Sequence, residues 1–154
     1  MKKLLVILGI VLVGFITFEI IYTQATKVDI TNNAYQKETL HPETIKQLKD
    51  ENYENIILPE ELDSIQADEQ EAIVYFYSPI CPHCLETTPV IIPKSKEIDA
   101  EVHMFNLLEF EKGWEDYGIT KTPTLVYYKQ GTERNRFEGA MAETDFLNFL
   151  DSND

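Results

Sequence analysis

The hydrophobic rhythm changes several times along this chain. Residues 4–21 form an apolar run interrupted only by Thr17 and Glu19. As a helix such a run would span about 27 Å, close to the ~30 Å hydrocarbon core of a membrane. Residues 22–40 are polar, carry Asn32-Asn33 and show no period, which reads as a tether. Pro42-Glu43-Thr44 then opens a short helical pattern with Ile45 and Leu48 at i and i+3. Residues 55–58 make a short apolar strand candidate. Pro59-Glu60-Glu61 starts a helix turning Leu62 and Ile65 inward, with acids at its positive end. Residues 72–77, Ala-Ile-Val-Tyr-Phe-Tyr, are the pattern of a central strand buried on both faces. The pattern continues with a helix from Cys81-Pro82 through the 80s, a strand over 102–108 and a short helix over 114–117. A hairpin follows, with strands over 124–128 and 134–138 joined at Lys129-Gln130-Gly131-Thr132. A last helix over 144–151 presents Phe146, Leu147, Phe149 and Leu150. The order β-α-β-α-β-α-β-β-α predicts an α/β domain, a central mixed sheet flanked by helices on both faces.

Length and charge narrow the picture. The 154 residues suit one domain with extensions. The division expected is an anchor over 1–22, a tether and short helix over 23–54, and the domain over 55–154. Thirteen basic against 27 acidic residues give a net charge of −14. That balance argues against nucleic acid, whose phosphates call for Lys and Arg, and against a surface that hugs anionic lipid. Lys2 and Lys3 before the apolar run place the N-terminus on the cytoplasmic side and the domain outside. A retained single-span transmembrane helix is the favoured reading of that run. A signal peptide cut near Thr23-Gln24-Ala25 is the alternative, and either one exports the domain.

Chemistry concentrates in one place. The chain has two cysteines, both in Ser78-Pro79-Ile80-Cys81-Pro82-His83-Cys84. The motif stands where the most strand-like segment gives way to a helix. Cys81 falls at the N-cap and Pro82 at the first helical position, where a missing N–H costs nothing. Free N–H groups and the positive helix end then favour the Cys81 thiolate, and His83 can add a donor or a charge. Cys81 is the candidate nucleophile and Cys84, one turn on, the candidate resolving thiol. A structural disulfide in so short a loop would remove little chain entropy. A zinc site would need His41, His83 or His103 as further ligands, and these form no His pair. No metal and no cofactor beyond the Cys81–Cys84 disulfide is therefore expected.

With that motif, residues 55–151 resemble the thioredoxin superfamily. Gly118-Ile119-Thr120-Lys121-Thr122-Pro123-Thr124-Leu125 looks like the family segment bearing a cis-proline before a central strand. The resemblance implies that Pro123 is cis beside the cysteine pair and that the Thr122 backbone pairs with an extended substrate. Pro89 is similar to the family's proline within the active-site helix, Gly131 to its hairpin glycine, and Gly139 to the glycine ending its last strand. Pro82-His83 is the dipeptide of DsbA-type oxidases, although the large helical insertion of DsbA is missing. In layout the chain is more similar to small membrane-tethered thioredoxin-like proteins of bacterial envelopes, including bacteriocin-transport accessory proteins. It departs from the family twice. Tyr75 stands where a buried carboxylate often serves the resolving cysteine, leaving that role to water or to a carboxylate from elsewhere. A second proline, Pro93, implies that the later half of the helix is bent or interrupted.

The resulting expectation is a thiol–disulfide oxidoreductase of the bacterial cell membrane, with one span and its catalytic domain on the extracytoplasmic side. It would form or exchange disulfides in exported proteins, work with a membrane redox partner, and have a monomeric soluble domain. An envelope thiol reductase, for example in cytochrome maturation, is the alternative. A non-catalytic accessory or chaperone-like protein is a third.

Overall fold

The computed structural model describes residues 9, 12–17 and 30–153. Residues 12–17 are helical. No helix among the described residues is long and apolar enough to cross a membrane. The remainder of the anchor expected over 1–22 lies outside them.

A short helix α1 (Pro42–Gln47) and a 3-10 turn (Glu51–Tyr53) precede α2 (Pro59–Ala67), β1 (Ala72–Tyr77) and α3 (Pro82–Glu97). Then come β2 (Val102–Asn106), α4 (Gly113–Asp116), β3 (Thr124–Lys129), β4 (Thr132–Glu138) and α5 (Glu143–Asp151). The four strands form one mixed sheet in the order β2-β1-β3-β4. β1 runs parallel to β2 and antiparallel to β3, and Tyr75 is in register with both Met104 and Leu125.

Strand alternation sorts β1 onto two cores. Tyr75 and Tyr77 face a cluster with Cys84, Ile91 and Ile92 of α3 and with Phe146 and Phe149 of α5. Val74 and Phe76 face the other side, among Leu62 of α2, Phe105, Leu107 and Tyr117, with the half-buried Trp114 at its edge. The β3–β4 hairpin turns at Gln130 and Gly131, both at positive φ (54° and 69°), as the right-handed twist of a two-residue turn demands. A Cβ on Gly131 would stand 2.0 Å from the Gln66 carbonyl oxygen, so only glycine fits.

Three expectations change. The strand expected over 55–58 is a single bridge, Ile56 to Met104. The Ile57 N–H donates to the Met104 carbonyl at 3.1 Å, and the next donor facing β2 would belong to Pro59, which has none, so the ladder stops. The Glu61 carboxylate holds the Leu58 N–H at 2.8 Å and turns the chain into α2. Helix α3 continues through both Pro89 and Pro93 and is not interrupted. Both prolines lie on its exposed face, where the carbonyls they leave unpaired, those of Leu85 and Pro89, can be hydrated. The described part of the expected tether also lies against the domain. Tyr35 is 3% exposed, and its hydroxyl is 2.9 Å from that of Tyr77 at the end of β1. Asn106 donates to Tyr35 Oη (3.3 Å) and to Thr44 Oγ1 (3.4 Å). Lys37 bonds both the backbone carbonyl and the carboxylate of Glu109, and the same carboxylate accepts the His41 N–H at 2.8 Å.

Candidate active site

Strand β1 ends at Tyr77, and four residues later Cys81 is the N-cap of α3. The link is a tight turn in which the Cys81 N–H donates to the Ser78 carbonyl at 3.0 Å. Having satisfied its own N–H there, Cys81 offers its sulfur to the helix start: the Cys84 N–H donates to Cys81 Sγ at 3.4 Å. Pro82 occupies the first helical position, as its missing donor allows.

Across from the sulfur lies the loop before β3. The Thr122–Pro123 peptide is cis, and the Thr122 carbonyl oxygen lies 3.4 Å from Cys81 Sγ. Several bonds hold this loop in place. The Thr124 hydroxyl donates to the Lys121 carbonyl at 2.9 Å, and the Thr120 hydroxyl to Glu138 at 3.1 Å. The Gly139 N–H, from a residue at φ 104°, donates to the Pro123 carbonyl at 2.8 Å. The Met141 N–H donates to Thr87 Oγ1 on α3, joining the end of the hairpin to the cysteine helix.

The two thiols occupy different environments. Cys81 is partly exposed, and Ile80 and Leu85 lie open to solvent on either side of it (56% and 50%). Its partial burial acts to raise the thiol pKa. Contacts with Thr122 and Cys84, and the N–H groups of Cys84 and His83, outweigh burial and hold it below the ordinary value. Cys84 is 1% exposed, and burial pushes its thiol up to about 12. His83 points outward: its Nδ1 lies 3.8 Å from Glu86 and most of the ring is exposed. The help that His83 gives Cys81 in this arrangement comes from its backbone N–H.

The six residues singled out by sequence thus lie close together: Cys81, Pro82, His83 and Cys84 at the start of α3, with Cys81 facing Thr122 beside Pro123 and the His83 ring turned outward. Residues 44–152 match the family model for thioredoxin. The chain belongs to the thioredoxin family. Among similar proteins, rice protein disulfide isomerase-like 2-1 is 29% identical over 102 residues, covering 62% of this chain and 28% of its own length. The chain therefore spans little more than a quarter of that relative. The thioredoxin of Rickettsia conorii is 28% identical over 80 residues, 51% of this chain and 76% of its own. Among solved structures, thioredoxin from Aeropyrum pernix is 31% identical, with a TM-score of 0.50 over 63% of this chain and 82% of its own. Oxidised thioredoxin from Plasmodium falciparum is 25% identical, with a TM-score of 0.55 over 64% and 96%. Membership of the thioredoxin family, with isomerase-like relatives, supports thiol–disulfide oxidoreductase chemistry in general terms.

Around Cys84, sequence reasoning singled out Tyr75 but passed over Thr88. Tyr75, the departure from the thioredoxin pattern, is fully buried, and its hydroxyl lies 3.2 Å from that of Thr88. Thr88 is four residues after Cys84, a spacing that marks it as the neighbour one turn along the same helix face. Two further buried residues with polar groups, Tyr35 and Asn106, meet through a contact that no local pattern announces.

Proposed function

We propose that this chain is an extracytoplasmic thiol–disulfide oxidoreductase, held at a bacterial cell membrane by its N-terminal apolar run, that forms or exchanges disulfides in exported proteins. The observation that carries the reading is the pairing of a partly exposed, pKa-lowered Cys81 with a buried Cys84 across one helical turn. The apolar run behind two lysines motivates the membrane placement.

In the oxidising direction a substrate thiolate attacks Cys81 Sγ of the Cys81–Cys84 disulfide. That S–S bond breaks and Cys84 leaves as a thiolate, which takes up a proton. A second substrate thiolate then attacks the substrate sulfur of the mixed disulfide, a substrate disulfide forms, and Cys81 leaves as a thiolate. A stabilised Cys81 thiolate makes it the better leaving group and favours the reduced pair, which is the property of an oxidant. The exposed Ile80 and Leu85 suit an apolar stretch of polypeptide beside the substrate cysteine. The Thr122 backbone beside Pro123 suits an extended one. A membrane redox partner would then reoxidise the pair.

Two measurements test this. Alkylation of intact cells, followed by gel-shift, should find Cys81–Cys84 mostly as the disulfide, and mostly dithiol would indicate the envelope reductase instead. The reduction potential should lie above the about −270 mV of cytosolic thioredoxin, and a value at or below it would end the oxidase reading.

A further inference from the structure

A buried thiol that must lose or gain a proton needs a path for it, and the one carboxylate buried among the described residues is elsewhere. Glu109 is taken up by Lys37 and His41. Cys84 lies in the cluster of Tyr75, Tyr77, Ile91 and Ile92, and its polar contacts on the substrate side are the Ser78 backbone, Cys81 and Thr122. Thr88 stands one turn beyond it on the buried face of α3, where i and i+4 side chains are neighbours about 5–6 Å apart at Cβ. Tyr75 brings its hydroxyl to Thr88 at 3.2 Å from the middle of β1. Tyr75 and Thr88 are both at 0% exposure. Tyr53, on the 3-10 turn, covers the same cluster from its half-exposed side, its ring 5.4 Å from that of Tyr77 and its hydroxyl towards Thr88.

The other titratable groups packed around Cys84 are occupied. Tyr77 is tied to Tyr35, and the Tyr127 hydroxyl of β3 donates to Glu71 at 2.7 Å. On its own helix, Cys81 is the reaction partner and His83 and Glu86 are exposed. The α5 side contributes Phe146, Phe149 and Met141, which carry no proton to exchange.

We infer that the Thr88 hydroxyl, held by Tyr75 and opening to solvent through Tyr53, carries the proton of Cys84. The inference rests on the disulfide-exchange reading above. In the resolving step the Cys84 S–H bond breaks, and its electron pair forms the S–S bond to Cys81 Sγ. The bond from Cys81 to the substrate sulfur breaks, and the substrate leaves as a thiolate that takes a proton from water. Thr88 Oγ1 accepts the proton from Cys84 as it releases its own to Tyr53, and Tyr53 releases one to solvent. Each hydroxyl ends as it began, and the reverse reaction returns a proton by the same route. Tyr75 touches no reacting atom in this scheme and is a positioning residue.

The test uses the full chain, charged on Cys81 as a mixed disulfide with 5-thio-2-nitrobenzoate, and follows release of the coloured thiol across a pH series. Thr88→Val should slow release at neutral pH about tenfold and move the profile up by about one pH unit. Thr88→Ser should restore the wild-type profile, and Tyr53→Phe should shift it in the same direction by less. An unshifted profile in Thr88→Val, or a uniform slowing without a shift, overturns the relay. If Thr88→Val does not fold, an unshifted Tyr53→Phe does the same. Wild-type chain that forms the mixed disulfide but never releases the thiol overturns the exchange reading and the relay with it. Normal wild-type release beside unshifted variants overturns the relay alone.

Discussion

The two sides of the sheet are built from one strand and have little else in common. Val74 and Phe76 point into an aliphatic and aromatic core whose rings meet at 5.2–5.5 Å, Phe76 with Phe105 and Tyr117 and the latter two with each other. Tyr75 and Tyr77 point into a core that also holds Cys84, Thr88 and Asn106, with hydroxyls at 2.9 Å and 3.2 Å from their partners. One side is mostly apolar, its Tyr117 hydroxyl reaching out to Asp63 at 3.0 Å. On the other, the buried polar groups find partners within the core, and the reactive pair shares that side.

The contrast is sharpest within the polar side itself, between the two thiols. Cys81 lies below its ordinary value and Cys84 is pushed up to about 12, so at neutral pH Cys81 is the thiol that carries the thiolate. Iodoacetamide should therefore consume one thiol per folded chain at pH 7, and mass spectrometry should find the label on Cys81. Equal labelling of both would remove the distinction between nucleophile and resolving thiol.

Next in size is the dry side. Phe76→Ala should cost about 3–5 kcal/mol in denaturant unfolding, because the neighbouring rings cannot close the cavity. The alkylation rate of Cys81 in the folded fraction should be unchanged.

A third change tests the polar side at its outer edge. Burial acts to raise the Glu109 carboxyl, but the Thr44 hydroxyl, the His41 N–H and Lys37 outweigh it and hold it below the usual carboxylate range. Its folded value is thus the lower one. The stabilisation is complete above the unfolded value of about 4.3 and is lost as pH falls through the folded value. Glu109→Gln should cost about 1–3 kcal/mol at neutral pH and flatten the acid limb of a stability-against-pH curve. An acid limb as steep as in wild type would place its origin in other carboxylates. The smallest effect belongs to Tyr77→Phe, about 0.5–1.5 kcal/mol, with faster hydrogen exchange confined to residues near Tyr35.

How much of this was legible beforehand follows the same division. Ala72–Tyr77 announced itself through an unbroken β-branched and aromatic run, and Cys81-Pro82 through helix-start chemistry, because both signals are local. Gln130-Gly131 was readable for the same reason. The attachment of residues 30–41 was not. Tyr35 meets Tyr77 across 42 positions and Lys37 meets Glu109 across 72, and a polar stretch without period carries no trace of distant partners. The 55–58 segment has the apolar content of a strand, but Pro59 lacks the N–H that would have continued the ladder. Thr88 was silent because a threonine within a helix has many unremarkable reasons to be there.

The chain's single tryptophan, Trp114, packs against the dry cluster, on the sheet face opposite the cysteines. Its emission should follow melting of the whole domain and stay level when the Cys81–Cys84 pair is oxidised or reduced. Intrinsic fluorescence is therefore a clean reporter of folding in this protein and a blind one for its redox state, which has to be read from the thiols themselves.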